Sequence, residues 1–308
     1  MTPPAEQMTS SAAPSDRDAD RVRDLASRVE AADGAEPLDE QAHLRLAHTA
    51  AGVEHLFLRA GATDPAGDLL GYAQLELGDP VTAEILVGLR GRRAQIAAAL
   101  FERVEDAAGS APLLVWARGD ASPVRAEAER RGYLAARTLL TMSRSLTDLH
   151  PCRSPRSDDV IVRAFRPGHD DAAWLGVNAR AFDSHPEQGR WTQADLDDRV
   201  AQPWFDADGF LLAVAPDGHL LGFHWTKRHS RELGEVYVIG MDPSAQGRGL
   251  GQALLHVGLD HLRDTGATTV ILYTDEENHG AVRLYEKAGF VVTRRQTQYR
   301  RPGGSAPA

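Results

Sequence analysis

The chain contains one cysteine, Cys152, among 308 residues and lacks any long apolar run. A single cysteine excludes an intramolecular disulfide and a metal cluster held by cysteines, and the polar, Pro-containing surroundings of Cys152 are typical of a linker. No segment approaches the ~18 consecutive apolar residues of a membrane span, and the Pro-, Ser- and Asp-rich start has no apolar core of a signal peptide. We therefore expect a cytosolic, monomeric protein without a membrane partner.

An excess of basic charge is also missing. The formal net charge is −10 and the pI is about 5.6. Nucleic acids and anionic membranes require a basic face that offsets phosphate charge, so neither is an expected partner. The 12 histidines show no spacing such as His-x-x-x-His beside a carboxylate, and we expect no bound metal.

The chain does have the length and apolar content for two domains, with 42% hydrophobic residues. Hydrophobic periodicity predicts helices and strands in alternation, which is a mixed α/β architecture. The predicted helices are 19–29, 38–46, 96–108, 122–131 and 253–262; the predicted strands are 53–58, 69–76, 83–87, 112–116, 139–145, 160–165 and one that ends at Met241. Residues 64–67 predict a turn. Residues 1–18, which offer only Met as a large apolar type, and 303–308 are expected to be disordered tails.

Three short segments of the first half return in the second half. The pairs are Leu69-Leu-Gly-Tyr72 with Leu220-Leu-Gly-Phe223 and Ala83-Glu84 with Gly234-Glu235, both 151 residues apart, and Arg131-Gly-Tyr133 with Ala288-Gly-Phe290, 157 residues apart. This repeat predicts two related domains, 19–147 and 160–302, joined by a polar linker at 148–159.

A glycine-rich loop follows the strand that begins near Glu235. Glycines at 247, 249 and 251 allow successive backbone N–H groups to converge on an anion, Arg248 adds a cation, and the following helix adds partial positive charge. A loop that is merely rich in glycine would look similar. The glycine pattern therefore predicts a phosphate-binding site, but the neighbouring sequence must distinguish this site from a loop that is merely rich in glycine.

That context resembles the GCN5-related N-acetyltransferases, the GNAT family. The segment Gln246-Gly-Arg-Gly-Leu-Gly251 matches the signature Q/R-x-x-G-x-G/A in the strand, loop and helix setting in which that family binds acetyl-CoA. The resemblance implies two tandem GNAT-fold domains with mixed sheets and acetyl-CoA as cosubstrate. The implied acetyl-CoA contacts are Ile239, Gly240, Met241, Gln246, Gly247, Arg248, Gly249, Leu250, Gly251, Gln252, Asn278, His279, Gly280, Ala281, Val282 and Arg283. Two alternatives stay open: Gly240 as a simple bulge residue and Asn278 as a helix cap only.

The first copy has lost the loop. Its corresponding stretch, Gly88 to Ala97, keeps basic residues but not the alternating glycines, and the shorter repeat distance places a deletion in the same interval. We expect one productive acetyl-CoA site, in the second domain. Residual cofactor binding in the first copy would involve Ile85, Leu86, Val87 and Arg92 or Arg93.

Acetyl transfer to an amine needs a base for the amine and an acid for the departing thiolate. Glu235, at the start of the cofactor strand, is the predicted base, and Tyr285 matches the tyrosine that many GNAT enzymes use as the acid. The alternatives are a solvated strand-edge carboxylate for Glu235 and amphipathic packing for Tyr285.

Longer segments narrow the resemblance to the mycothiol synthases, a family of tandem acetyltransferases. The segments are Asn178 to Thr192, Trp204 to Gly209, Leu221 to Lys227 and Gly234 to Val238. The resemblance implies N-acetylation of the cysteinyl amine of Cys-GlcN-Ins, with acceptor contacts at Glu40, Glu187, Lys227, Glu235 and Tyr273. Because Glu40 belongs to the first domain, the acceptor is expected between the copies.

Two other functions fit the same residues. One is a GNAT enzyme that acts on another small-molecule or protein amine, since only the acceptor cleft would differ. The other is a non-catalytic tandem domain that senses acetyl-CoA, which would have no need of either Glu235 or Tyr285.

Overall fold

The structure is a computed structural model, and it describes residues 6–34, 36–47, 50–61, 68–89, 91–119, 121–147, 160–183 and 188–302. The helices are α1 (Asp16–Asp33), α2 (Glu40–Arg45), α3 (Arg93–Ala108), α4 (Pro123–Arg130), α5 (Asp171–Ala181), α6 (Gln193–Val200), α7 (Leu250–Asp264) and α8 (His279–Lys287). The strands are β1 (Glu6–Ser11), β2 (Val53–Ala60), β3 (Leu69–Glu76), β4 (Val81–Val87), β5 (Leu113–Arg118), β6 (Leu134–Ser145), β7 (Ile161–Ala164), β8 (Phe210–Val214), β9 (Leu220–Arg228), β10 (Leu233–Met241), β11 (Thr269–Asp275) and β12 (Val291–Arg300). The predicted mixed α/β architecture is confirmed. Cys152, the linker 148–159, the turn 64–67 and the tail 303–308 lie outside the described residues.

The prediction of a disordered N-terminal tail over 1–18 is wrong for residues 6–18. Strand β1 pairs antiparallel with β2, and α1 begins directly after Ser15, whose hydroxyl accepts a hydrogen bond from the Asp18 amide. An edge strand is held by backbone hydrogen bonds and needs few apolar side chains. Met8 packs on the core and thereby supplies the apolar contact that the composition suggested was missing.

The chain divides into two compact units. Unit 1 contains residues up to 140 together with 275–277 and the chain from 294 onward, and unit 2 contains 141–274 and 278–293. Each unit thus includes part of the final strand of the other half of the chain: 141–145 of β6 belong to unit 2, and 294–300 of β12 belong to unit 1. Within unit 1, β12 pairs antiparallel with β5 from Gln296 to Arg300.

Unit 1 has a sheet in the order β1-β2-β3-β4-β5-β12, in which the β4–β5 pair is parallel. Alternation along β4 sends successive side chains to opposite faces. Ile85 packs in the core under α3, whereas Leu86 packs in the core under α1. The sheet therefore lies between two helical layers.

Unit 2 has the corresponding sheet, with β11-β10-β9-β8-β7 following the contributed part of β6. One face carries an aromatic core in which Trp174 of α5 contacts Phe223 and Trp225. The other face is covered by α7 through Leu250 and Leu254. In the described part of the chain, no helix has the length and apolar character needed to cross a membrane.

Candidate active site

Strands β10 and β11 separate in the middle of the unit 2 sheet. Their parallel ladder runs from Leu233 and Thr269 to Val236 and Leu272, although β10 continues to Met241. Beyond Val236, the pairing of β10 within the described residues is with β9. The backbone of the predicted cofactor segment at 239–241 therefore borders the opening between two parallel strands.

A β-bulge marks the point of separation. The register between β10 and β9 shifts between Val236 and Val238, which places Tyr237 at the bulge. The alternative interpretation of Gly240 as the bulge residue is wrong, because Gly240 pairs regularly with Phe223. Glycine is needed at 240 for space: a Cβ atom there would lie 2.9 Å from the Phe223 ring.

The loop from 242 to 249 has the backbone that its glycines predict. Gly247 and Gly249 both have φ near +75°, and nothing lies within 4 Å of a Cβ built on either residue. Helix α7 begins directly after Gly249, so the unpaired N–H groups of its first turn lie beside an exposed loop. The geometry suits an anion such as a pyrophosphate.

Asp242 holds this loop in place. One carboxylate oxygen accepts hydrogen bonds from the amide (3.0 Å) and hydroxyl (2.6 Å) of Ser244, and the other accepts two from Arg180, at 2.9 and 2.7 Å. Burial opposes ionisation, but the Ser244 and Arg180 hydrogen bonds outweigh it and lower the pKa of Asp242 to about 2. The sequence pattern did not identify either Asp242 or Arg180.

Glu235 lies on β10 immediately before the bulge. It is buried, at 5% exposure, and its Oε2 lies 2.6 Å from Nε2 of His229. Lys227 is directly opposite on β9. The sequence analysis did not predict a role for His229. Lys227 and His229 are two residues apart before a tight turn and Glu235 follows that turn, a spacing that places all three side chains on one face of a hairpin.

Two further predicted acceptor residues share this face of the sheet. The Lys227 ammonium lies 4.7 Å from the Trp204 ring centroid and 5.2 Å from that of Tyr237, within cation–π range. Tyr273, half-buried, lies two residues beyond Ile271, the partner of Glu235 on β11, and therefore on the same face. The structure thus brings Glu235, Lys227 and Tyr273 together on one face.

Helix α8 carries the remaining predicted residues of this unit. Asn278 caps it, accepting a hydrogen bond from the Ala281 amide at 3.1 Å, so the capping role is present. Tyr285 is buried against Phe290 and forms no hydrogen bond within the described part of the chain. Burial raises its pKa well above the usual value, so the phenol keeps its proton at neutral pH.

The structure describes one of the last two predicted acceptor residues. Glu40 is the first residue of α2 in unit 1, next to Asp39, whose carboxylate caps the helix by accepting from the Ala42 amide at 2.7 Å. Glu187 lies outside the described residues.

In unit 1, the counterpart of Glu235 has a different environment. Glu84 accepts two hydrogen bonds from Arg118, at 2.5 and 2.9 Å, and both side chains are 9% exposed. Arg118 also donates to Asp39 at 3.3 Å and to Gln296 at 2.6 Å. Burial alone would lower the pKa of Arg118, but the Glu84 carboxylate outweighs it and the net shift is upward. The Glu84–Arg118 ion pair is thus the centre of a polar cluster that joins β4, β5, β12 and the cap of α2.

The unit 1 loop also differs. It has five residues, 88–92, against eight in unit 2, and its described glycines, Gly88 and Gly91, do not have positive φ. Arg93, at the start of α3, is paired bidentately with Asp33, at 2.5 and 3.1 Å. A small open cleft lies at this position, with Arg93, Arg118 and the start of α4 in its lining. The glycine cradle is lost in the described part of this loop, as the sequence predicted.

The chain matches the acetyltransferase (GNAT) family over residues 177–290. It is 49% identical to a mycothiol acetyltransferase of Salinispora arenicola, over 91% of this chain and 92% of that protein. It is 48% identical to a mycothiol acetyltransferase of Geodermatophilus obscurus, over 91% and 96% of the two chains.

Solved structures show the same tandem architecture. A GCN5-related N-acetyltransferase from Sphaerobacter thermophilus superposes with a TM-score of 0.68 at 23% identity, covering 97% of this chain and 98% of that one. A tandem GNAT protein from the clavulanic acid biosynthesis pathway gives a TM-score of 0.73 at 17% identity, with 98% and 100% coverage. At these identities the likeness shows the fold alone, and it confirms the predicted tandem GNAT fold.

Proposed function

The chain belongs to the mycothiol acetyltransferase family, and on that premise we propose that it transfers the acetyl group of acetyl-CoA to the cysteinyl amine of Cys-GlcN-Ins, giving mycothiol. The observation that carries the proposal is the position of Glu235. It is a buried carboxylate at the point where two parallel strands separate, with Lys227 and Tyr273 on the same face.

Acetyl-CoA supplies the activated acetyl group. The left-handed glycines at 247 and 249 and the first turn of α7 would hold its pyrophosphate, since backbone N–H groups there have no partner in the helix. The edge of β10 at 239–241 that borders the opening would pair with the pantetheine, and Asn278 to Arg283 would line its far side. Gln246, Arg248, Leu250 and Gln252 complete the proposed loop contacts.

Glu235 is proposed as the base. An α-amino group has a pKa of about 7.7–8.0, so the acceptor is largely an ammonium ion at neutral pH and must lose one proton before it attacks. Glu235 accepts that proton, directly or through one water. Tyr285 is proposed as the acid that protonates the departing thiolate, and its burial keeps the phenol protonated for that step.

The acceptor presents many hydroxyl groups and one ammonium. Carboxylates and a lysine can each make several hydrogen bonds to such a molecule. Glu40, Glu187, Lys227, Glu235 and Tyr273 are proposed for this role. The Lys227 ammonium packs against the aromatic rings of Trp204 and Tyr237, which limits the conformational freedom of the lysine side chain.

The test is incubation of the purified protein with acetyl-CoA and Cys-GlcN-Ins, followed by mass spectrometry of the products. We expect one added acetyl group, located on the cysteinyl nitrogen by fragmentation. Acetylation of other amines but not of Cys-GlcN-Ins would reject the proposed acceptor. Acetyl-CoA binding without any turnover would reject catalysis altogether.

A further inference from the structure

We propose that His229 is the residue through which Glu235 passes its proton to solvent, an inference that rests on the proposed role of Glu235 as the base. The Nε2 and Oε2 atoms of the pair are 2.6 Å apart, which allows direct proton transfer. The Glu235 side chain is 7% exposed, whereas that of His229 is 28% exposed. A buried base must release its proton to water after each turnover. His229 contacts Glu235 and is more exposed to solvent, so it can connect the carboxylate to water.

The β9–β10 hairpin fixes this pair. The His229 amide donates to the Leu233 carbonyl at 3.0 Å, and the Ser230 hydroxyl accepts from the amides of Glu232 and Leu233, which closes the turn. Glu235 is two residues beyond Leu233, so its side chain is on the same face as that of His229 and diagonally across from it. The pairing of the hairpin backbone therefore places the His229 and Glu235 side chains in contact.

The proton balance is complete without another reactant. The ammonium of the acceptor gives one proton to the Glu235 carboxylate as the amine is freed. Glu235 then gives a proton to Nε2 of neutral His229 in the tautomer that carries its hydrogen on Nδ1. The resulting imidazolium gives its Nδ1 proton to water, and exchange of the ring hydrogens with water restores the starting tautomer. One proton leaves the acceptor and one enters solvent, and both side chains return to their starting charge.

Two cationic side chains lie near the pair. Lys227 lies opposite Glu235 on the same hairpin, and Arg199 of α6 reaches this face through the Tyr237 hydroxyl at 2.8 Å. Ile271 and Tyr273 of β11 are uncharged on this face.

The test compares His229→Ala and His229→Gln with wild type by steady-state product formation from pH 6 to 9, with and without added imidazole. We expect kcat of His229→Ala to fall ~10- to 100-fold with the KM for acetyl-CoA unchanged, since the base is present but cannot shed its proton. Imidazole should restore a large part of that loss. His229→Gln should stay as slow as His229→Ala, because an amide can hold Glu235 by a hydrogen bond but cannot carry a proton.

His261→Ala is the matched control. His261 also contacts a carboxylate of unit 2, Asp206, at 3.0 Å, but outside the site. We expect wild-type kcat and no response to imidazole. Wild-type turnover in His229→Gln, or failure of imidazole to rescue His229→Ala, would overturn the relay. If Glu235→Gln itself kept full activity, the assignment of the base would be the error instead.

Discussion

Glu84 and Glu235 occupy the same place in two copies of one fold, yet their surroundings give them different roles. Glu235 faces Lys227 and a partly exposed histidine at the opening of the sheet. Glu84 is held by the Arg118 guanidinium, which also reaches the Asp39 cap of α2. The repeated carboxylate is therefore the proposed base in one copy and a member of a buried ion pair in the other, and the two differ in their partners.

The two cores show the same divergence. In unit 1, His55 and Tyr72 share a hydrogen bond of 2.7 Å, and Gln74 donates to the Tyr72 hydroxyl and to the Ala42 carbonyl of α2. Burial, helped by Arg45, lowers the pKa of His55 to about 4 and keeps it neutral. By sheet register, the unit 2 positions are Phe210, Phe223 and Trp225, and Phe210 stacks on Trp225 at 4.2 Å.

The polar group of unit 1 has a structural consequence. Gln74 and Arg118 anchor the short helix α2 from two sides, and Glu40 is its first residue. A six-residue helix is not stable by itself. Unit 1 therefore lacks the glycine cradle in the described part of its loop, and its polar side chains instead hold α2, the helix that begins with the proposed acceptor residue Glu40.

The largest expected effect compares the two glutamates directly. Glu235→Gln removes the proposed base and should lower kcat by about 10²- to 10⁴-fold, with little change in the KM for acetyl-CoA. Glu84→Gln keeps hydrogen-bonding capacity toward Arg118 and should leave kcat near wild type. Steady-state kinetics of both variants measures the two kcat values. A similar loss of kcat in Glu84→Gln and Glu235→Gln would show that the two copies are not functionally distinct.

The next effect concerns stability. Arg118→Met leaves the Glu84 carboxylate buried without its cation, which costs about 3–5 kcal/mol of unfolding free energy. Burial already raises the pKa of Glu84 to about 8 although Arg118 opposes the shift, and removal of Arg118 should raise that pKa further, so the loss should deepen as pH rises above about 8. Urea unfolding at several pH values measures this. The double variant Arg118→Met/Glu84→Gln should lose less; an equal, pH-independent loss would contradict the ion-pair account.

The smallest effect compares the two loops. Gly249→Ala forces alanine into a left-handed conformation at about 1–2 kcal/mol and should raise the KM for acetyl-CoA about tenfold. Gly91→Ala, at a glycine without positive φ and with open space around it, is the control and should change nothing. An equal response at both positions would mean that the left-handed backbone is not what binds the cosubstrate.

Much of this protein was predictable from its sequence. Periodicity gave the helices and strands of the first half other than β1, mostly to within a few residues, because core-facing positions repeat every two or 3.6 residues. The loss of the first glycine loop was predictable since glycine alone takes up positive φ freely. The N-terminal strand was not, because backbone pairing at a sheet edge leaves little trace in side-chain composition.

The sequence by itself determined the repeat, the loop with Gly247 and Gly249, and Glu235 as the carboxylate on the strand before it. Only the tertiary structure decided that 141–145 and 294–300 belong to units built mainly from the other half of the chain, that Arg118 ties up Glu84, and that His229 contacts Glu235. The reason is physical. Local conformation depends on neighbours along the chain, whereas the ionic and hydrogen-bonding partner of a side chain depends on residues that only folding brings near.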